Sequence, residues 1–179
     1  MKKKFIIPML LAALMLLCSC GEKPAVEEPV APVSGTEVTE VKKLKSMVYF
    51  VSEDSIYLIP EEREIEYTNE EEIPMKLISV LIEGPVTESL HPALNKSTVI
   101  KEIKTENNTA MVTVGDNFVS LNTGGSTKEF MALYSITDTL CELDGINEVK
   151  FFDPTGTPME EFGSYIIDLP LIKDTTLYD

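Results

Sequence analysis

Three thiols, a single imidazole and thirty carboxylates are the groups through which this 179-residue chain could do chemistry, and their spacing narrows the choice. His91 stands alone in Leu90-His91-Pro92, and metal sites or histidine-based triads need partners that the sequence does not supply. A surface-loop histidine is the expected reading. Cys141 falls at a core-facing position on a predicted helix, where a thiol behaves as a small hydrophobe. Pairing it with His91 as a nucleophile would require a low-pKa setting that its neighbours do not provide. Gly124-Gly125-Ser126-Thr127-Lys128 has the composition of a phosphate loop but neither its spacing nor its order. Ser126 and Glu129 instead fit a capping box, which would occupy the helix-start amides an anion would need. Glu61-Glu62, Glu70 to Glu72 and Glu160-Glu161 could supply the carboxylate pair of a glycosidase, but they fall in predicted turns or at solvent-facing positions. Calcium-loop, nucleophile-elbow and Ser-x-x-Lys patterns do not occur. The expectation is a chain with no catalytic residue, no cofactor and no metal site.

One thiol is placed for a different reaction. Lys2, Lys3 and Lys4 precede an apolar run from Phe5 to Leu17, which reads as an export signal too short for a comfortable bilayer span. In Leu17-Cys18-Ser19-Cys20-Gly21 a Leu stands three places before Cys20 and a small Ser directly before it, a pattern that resembles a bacterial lipobox. The resemblance implies cleavage before Cys20 and thioether attachment of diacylglycerol to its sulfur. Cys18 follows the bulky Leu17 and fits less well. A single acyl chain holds a protein only marginally, so lasting attachment takes at least two. The predicted location is the extracytoplasmic face of the cell membrane.

Charge and cysteine count bound the rest. Residues 1–19 carry three lysines and no acid, so their loss moves the formal charge from −15 to −18. Such a surface repels nucleic acid and anionic headgroups, and suits calcium, a basic partner or simple solubility. With Cys18 removed and Cys20 lipidated, only Cys141 remains, and no intramolecular disulfide can form. The fold must stand on its apolar core.

The elements that would position any site follow from periodicity. Residues 20–45, rich in Pro, Glu and Val, cannot bury enough surface to fold and form a semi-stiff tether. Residues 46–179 make a single domain. Met47 to Val51 reads as a core strand; a second strand from Ile56 resumes after Pro60, with Arg63, Ile65 and Tyr67 alternating against Glu62, Glu64 and Glu66. A helix is expected from Pro74 to Glu83, stopped by Gly84-Pro85. Strands Val99 to Lys104 and Thr109 to Val114 flank an Asn107-Asn108 turn. A helix beginning at Ser126 carries Phe130, Leu133, Tyr134, Thr137, Leu140 and Cys141 on its inner face, and Val149 to Phe152 forms a last core strand. The apolar segment from Tyr165 to Pro170 packs back. The order β-β-α-β-β-α-β predicts an α+β two-layer sandwich, a mostly antiparallel sheet with two helices on one face.

These residues resemble the GerMN domain of spore-germination and sporulation lipoproteins. The resemblance rests on Val48 to Val51 leading to Tyr57-Leu58-Ile59-Pro60, on Val80-Leu81-Ile82-Glu83-Gly84-Pro85, and on Gly125 to Glu129 through Tyr134 to Leu140 and Val149 to Phe152. Gly163, Asp168 and Pro170-Leu171 match that domain's usual ending, so the likeness spans about Met47 to Leu171. It implies a non-catalytic, envelope-anchored module that docks on envelope proteins, in sporulation or spore germination. The protein that gives the domain its name has two such domains; this chain has room for one. The expected partners are the membrane, through the lipid, and envelope proteins, with no nucleic acid and no small-molecule substrate. The alternatives are a binding module for wall fragments, a small solute or calcium, and a wall hydrolase. The exposed edge of the Glu62-to-Tyr67 strand is a candidate for pairing with a partner strand.

Overall fold

The computed structural model describes residues 40–177; the leader, Cys20 and residues 20–39 of the tether lie outside the described residues. The elements are β1 (Lys42–Val51), β2 (Leu58–Tyr67), a 3₁₀ turn (Glu70–Glu72), α1 (Ile73–Glu83), β3 (Ile100–Glu106), β4 (Thr109–Val114), α2 (Phe118–Asn122), α3 (Ser126–Leu140), β5 (Glu148–Phe152), β6 (Glu161–Phe162), β7 (Tyr165–Ile166) and β8 (Leu171–Ile172). A further 3₁₀ turn spans Thr175–Leu177. The main elements keep the β-β-α-β-β-α-β order, and the fold is α+β. The strands divide into an antiparallel β1–β2 ladder, a sheet of order β3-β4-β5-β8, and a small β6–β7 hairpin. Only β4 and β5 run parallel, joined by a crossover that includes α2 and α3.

The β1–β2 ladder is built by alternation. Glu62, Glu64 and Glu66 are exposed on one face, while Ile65 is buried on the other. Lys43 and Lys45 answer the glutamates across the ladder, Lys43 at 2.7 Å from Glu64 and 3.3 Å from Glu66, Lys45 at 2.7 Å from Glu62. The strand therefore begins at Lys42, upstream of the expected Met47, because acidic partners on β2 hold the lysines in an extended register. Asn107 and Asn108, at φ of +51° and +65°, make the tight turn between β3 and β4, both in the left-handed region such a turn requires.

Helix α3 is the centre of the molecule. It packs against β1, α1, β5 and β8, so every residue from Met131 to Leu140 except Tyr134 is buried. An apolar stripe was the expectation; enclosure on several sides is what the structure shows. Its buried hydroxyls are satisfied locally: Ser135 donates to the Ala132 carbonyl, Thr137 to that of Leu133, and Thr139 accepts from the Tyr49 amide. The start of α3 differs from the capping box. Gly125 is the N-cap and Ser126 makes no side-chain cap; only the glutamate half of the motif operates. A short helix absent from the sequence reading, α2, inserts Phe118 between Phe151 and Phe162, at ring-centre distances of 6.2 and 5.1 Å.

Candidate functional site

A groove of about 1020 Å³ runs between β1, β3, the start of α1 and the turn that follows α3. Its walls are strand edges. Leu44, Lys45 and Ser46 of β1 and the five consecutive residues Glu102 to Glu106 of β3 all line it. Consecutive strand residues point to opposite faces, so a groove lined by all of them meets the edge of the strand. β3 is terminal in its sheet. The turn after β3 has two residues, which makes Glu106 and Thr109 a hydrogen-bonded pair and turns the N–H and C=O groups of Thr105 and Ile103 outward. On β1, Tyr49 stands opposite Pro60, which has no N–H to give, so this is a non-hydrogen-bonded pair. The Tyr49 N–H accordingly points away from β2, to Thr139, and that of Val51 to the His91 carbonyl. By period two, Lys43, Lys45 and Met47 also present their main-chain groups outward. Among the described residues no hydrogen bond meets the outward amides of Lys43, Lys45, Ile103 and Thr105.

The groove is strongly negative. Glu70, Glu71, Glu102, Glu106, Glu142 and Asp144 line it against two lysines. Both lysines are already engaged, Lys104 with Glu102 at 2.8 Å and Lys45 with Glu62 at 2.7 Å, and each hydrogen bond raises the lysine's pKa. Its apolar lining comes from Leu44, Ile73, Pro74, Ile103, Leu143 and Ile146.

At the α3 end, Glu142 joins a clasp. The Tyr49 hydroxyl donates to its carboxylate at 2.5 Å, and Lys173 donates to Tyr49 at 2.8 Å and to Glu142. The ammonium also lies 4.9 Å from the Tyr49 ring centre. Burial pulls the Glu142 pKa up, but hydrogen bonds from Lys173 and Tyr49 outweigh it and hold the carboxyl below its usual range. The clasp ties the segment after β8 to β1.

Residues singled out in the sequence are separated by the fold. His91 lines a smaller cleft of about 450 Å³ with Thr127, Lys128 and Met131, near the start of α3. Cys141 caps the other end of that helix, on the order of 15–20 Å away at 1.5 Å per residue. Burial first, then the Asp138 charge, pushes the Cys141 thiol up to about 11, so its nucleophilic thiolate is scarce. Lys128 donates to the Leu121 and Thr123 carbonyls, both at 3.0 Å, closing α2 rather than facing a ligand. Among the described residues no group of three His, Cys, Asp or Glu side chains could hold a metal, and no helix is long and apolar enough to cross a membrane.

Two carboxylates hold partners far along the chain that local spacing does not reveal. Glu61, expected in a turn or at a solvent-facing position, has a side chain only 9% exposed and accepts from the amides of Val86 and Thr87 and from Arg63. Burial raises its pKa and these hydrogen bonds more than reverse the effect. Glu129 is 5% exposed; one oxygen accepts from Gly124 and Gly125, the other from the amide and hydroxyl of Ser164 at 2.9 and 2.6 Å. Those bonds, the Ser164 pair foremost, hold its pKa down to about 2. The anion that the glycine-rich start of α3 binds is therefore the protein's own.

An α+β fold with an enclosed helix and open strand edges on β1 and β3 is the class of protein this geometry defines. Residues 47–152 match the Germane family, described as sporulation and spore germination, and the chain belongs to that family. Among solved structures it is similar to a crystal structure described as a lipoprotein from Clostridium perfringens, at 22% identity and a TM-score of 0.52, over 79% of this chain and 93% of that one. It is also similar to the first GerMN domain of the sporulation protein GerM from Bacillus subtilis, at 15% identity and a TM-score of 0.56, over 74% and 98% of the two chains. Against the tandem GerMN domains of that protein it has 15% identity and a TM-score of 0.57, and spans 45% of their length. No curated protein matches the chain.

Proposed function

We propose that this protein is a lipoprotein of the extracytoplasmic membrane face, anchored through Cys20, whose non-catalytic domain docks on envelope proteins during sporulation or spore germination. The match of residues 47–152 to a sporulation and spore germination family carries the proposal. The lipobox-like leader supports the anchor. Docking is favoured because the groove offers strand edges and fixed charge in place of a converging nucleophile, base and acid. The Cys141 thiol and the His91 imidazole stand at opposite ends of α3, and the Glu129 carboxylate is consumed by the amides of Gly124, Gly125 and Ser164 and by the Ser164 hydroxyl.

Two measurements test the reading. Palmitate label should enter the wild-type protein, and Cys20→Ala should release it from membranes; a variant that still sediments with membranes removes the anchor from the proposal. Cross-linking in sporulating cells should join the domain to specific envelope proteins. A deletion strain that sporulates and germinates normally, with no cross-linked partner, defeats the docking function.

A further inference from the structure

We propose that the groove between β1 and β3 takes an extended, cationic segment of a partner protein as an added strand, hydrogen-bonded to both open edges. This names the chemistry of the docking partner and rests on the docking reading above. Two edges of outward N–H and C=O groups face one slot, Lys43 and Lys45 on β1 and Ile103 and Thr105 on β3. Native sheets ordinarily pair, cover or charge such an edge, and here both edges are charged but neither is paired or covered. At about 4.8 Å between strands, about 10 Å between layers and about 3.3 Å of rise, a strand residue fills on the order of 160 Å³. The 1020 Å³ groove thus holds about six residues of extended chain, close to the seven of β3. A guest strand there would make one continuous sheet from the β1–β2 ladder to β8.

Charge selects the guest. Among the described residues Glu70, Glu71, Glu106 and Asp144 have no cation within ion-pair distance, while both lysines in the groove are spent on Glu102 and Glu62. Alternating Lys or Arg on one face and apolar side chains on the other would meet these acids and the apolar lining of Leu44, Ile73 and Ile103. The chain's own residues 20–39 are a poor occupant, since Glu22, Glu27, Glu28 and Glu37 outweigh Lys23. A second copy brings the same −18 charge. The edge of β2 from Glu62 to Tyr67 is a weaker host, because its start is covered where Glu61 takes the Val86 and Thr87 amides.

The test uses the full lipoprotein in neutral detergent micelles and two capped octapeptides, one alternating Lys and Val, one alternating Glu and Val. The Lys–Val peptide should bind saturably, at least tenfold more tightly than its acidic counterpart. NMR shifts should fall on the amides of Lys43, Lys45, Ile103 and Thr105. Glu102→Lys with Glu106→Lys should weaken it at least tenfold. Thr105→Pro should weaken it about fivefold with the ladder intact, because that N–H points outward and edge prolines are tolerated there. Equal binding of both peptides, or shifts on β2 alone, overturns the proposal, as does dimerisation that Thr105→Pro abolishes. If the wild type and the charge-reversed variant cross-link the same envelope protein equally, the groove assignment falls and docking stands. If the wild type captures none while the peptide still binds as described, docking falls and the groove's chemistry stands.

Discussion

A single glutamate explains why the glycine-rich start of α3 and the β6–β7 hairpin belong together. Glu129 fastens Gly124 and Gly125 to Ser164, and Gly163 between them sits at φ +60° with its α-carbon against the carboxylate. A methyl group on Gly163 would strike that carboxylate, so Gly163→Ala should destabilise the fold by about 1–3 kcal/mol in urea titration. Ser126→Ala should stay within about 0.5 kcal/mol of wild type, because the hydroxyl caps nothing. The Glu129 pKa falls from 4.5 unfolded to about 2 folded, so its contribution is complete above pH 4.5 and drains away as pH falls toward 2. Glu129→Gln should lower the urea midpoint at pH 6 and by much less at pH 2; an equal loss at both would refute the assignment. The sequence exposed half of this site: Glu129 lies four residues after Gly125, but nothing in the chain's spacing ties it to Ser164, thirty-five residues on. Glu61 was hidden for the same reason, its partners being amides beyond a helix.

At the scale of elements, long periodic segments were readable and short ones were not. The turn at Asn107-Asn108, the stop at Gly84 and strands β4 and β5 follow from local chemistry. α2 and β8 are too short to carry a period, and tertiary contacts make them: Phe118 fills the aromatic cluster, while Leu171 pairs with Val149. Phe118→Ala should therefore cost about 3–5 kcal/mol despite the helix's five residues, read as a lowered urea midpoint. The division of strands into separate ladders was equally illegible. It depends on α3 passing beside β1 and capping the Tyr49 amide with Thr139, and pattern alone cannot register such a contact. That interruption is also what leaves the open edges of β1 and β3.

For the molecule as a whole, an uneven charge should make the fold and the proposed docking answer salt with opposite signs. The −15 of the chain, or −18 with the leader removed as proposed, repels itself, and raising ionic strength from about 10 to about 150 mM shrinks the screening length from about 30 to about 8 Å. The exposed Lys–Glu pairs of the β1–β2 ladder lose a little over that range, but such pairs are worth little to begin with. Repulsion should win, and the urea midpoint should rise with added sodium chloride. Binding of the Lys–Val peptide to the groove should weaken several-fold over the same range, because the acids that attract it are exposed to the same ions. An affinity indifferent to salt would mean that main-chain hydrogen bonds and apolar contact hold the guest alone, and the charge argument for a cationic partner would fail with the edges still open.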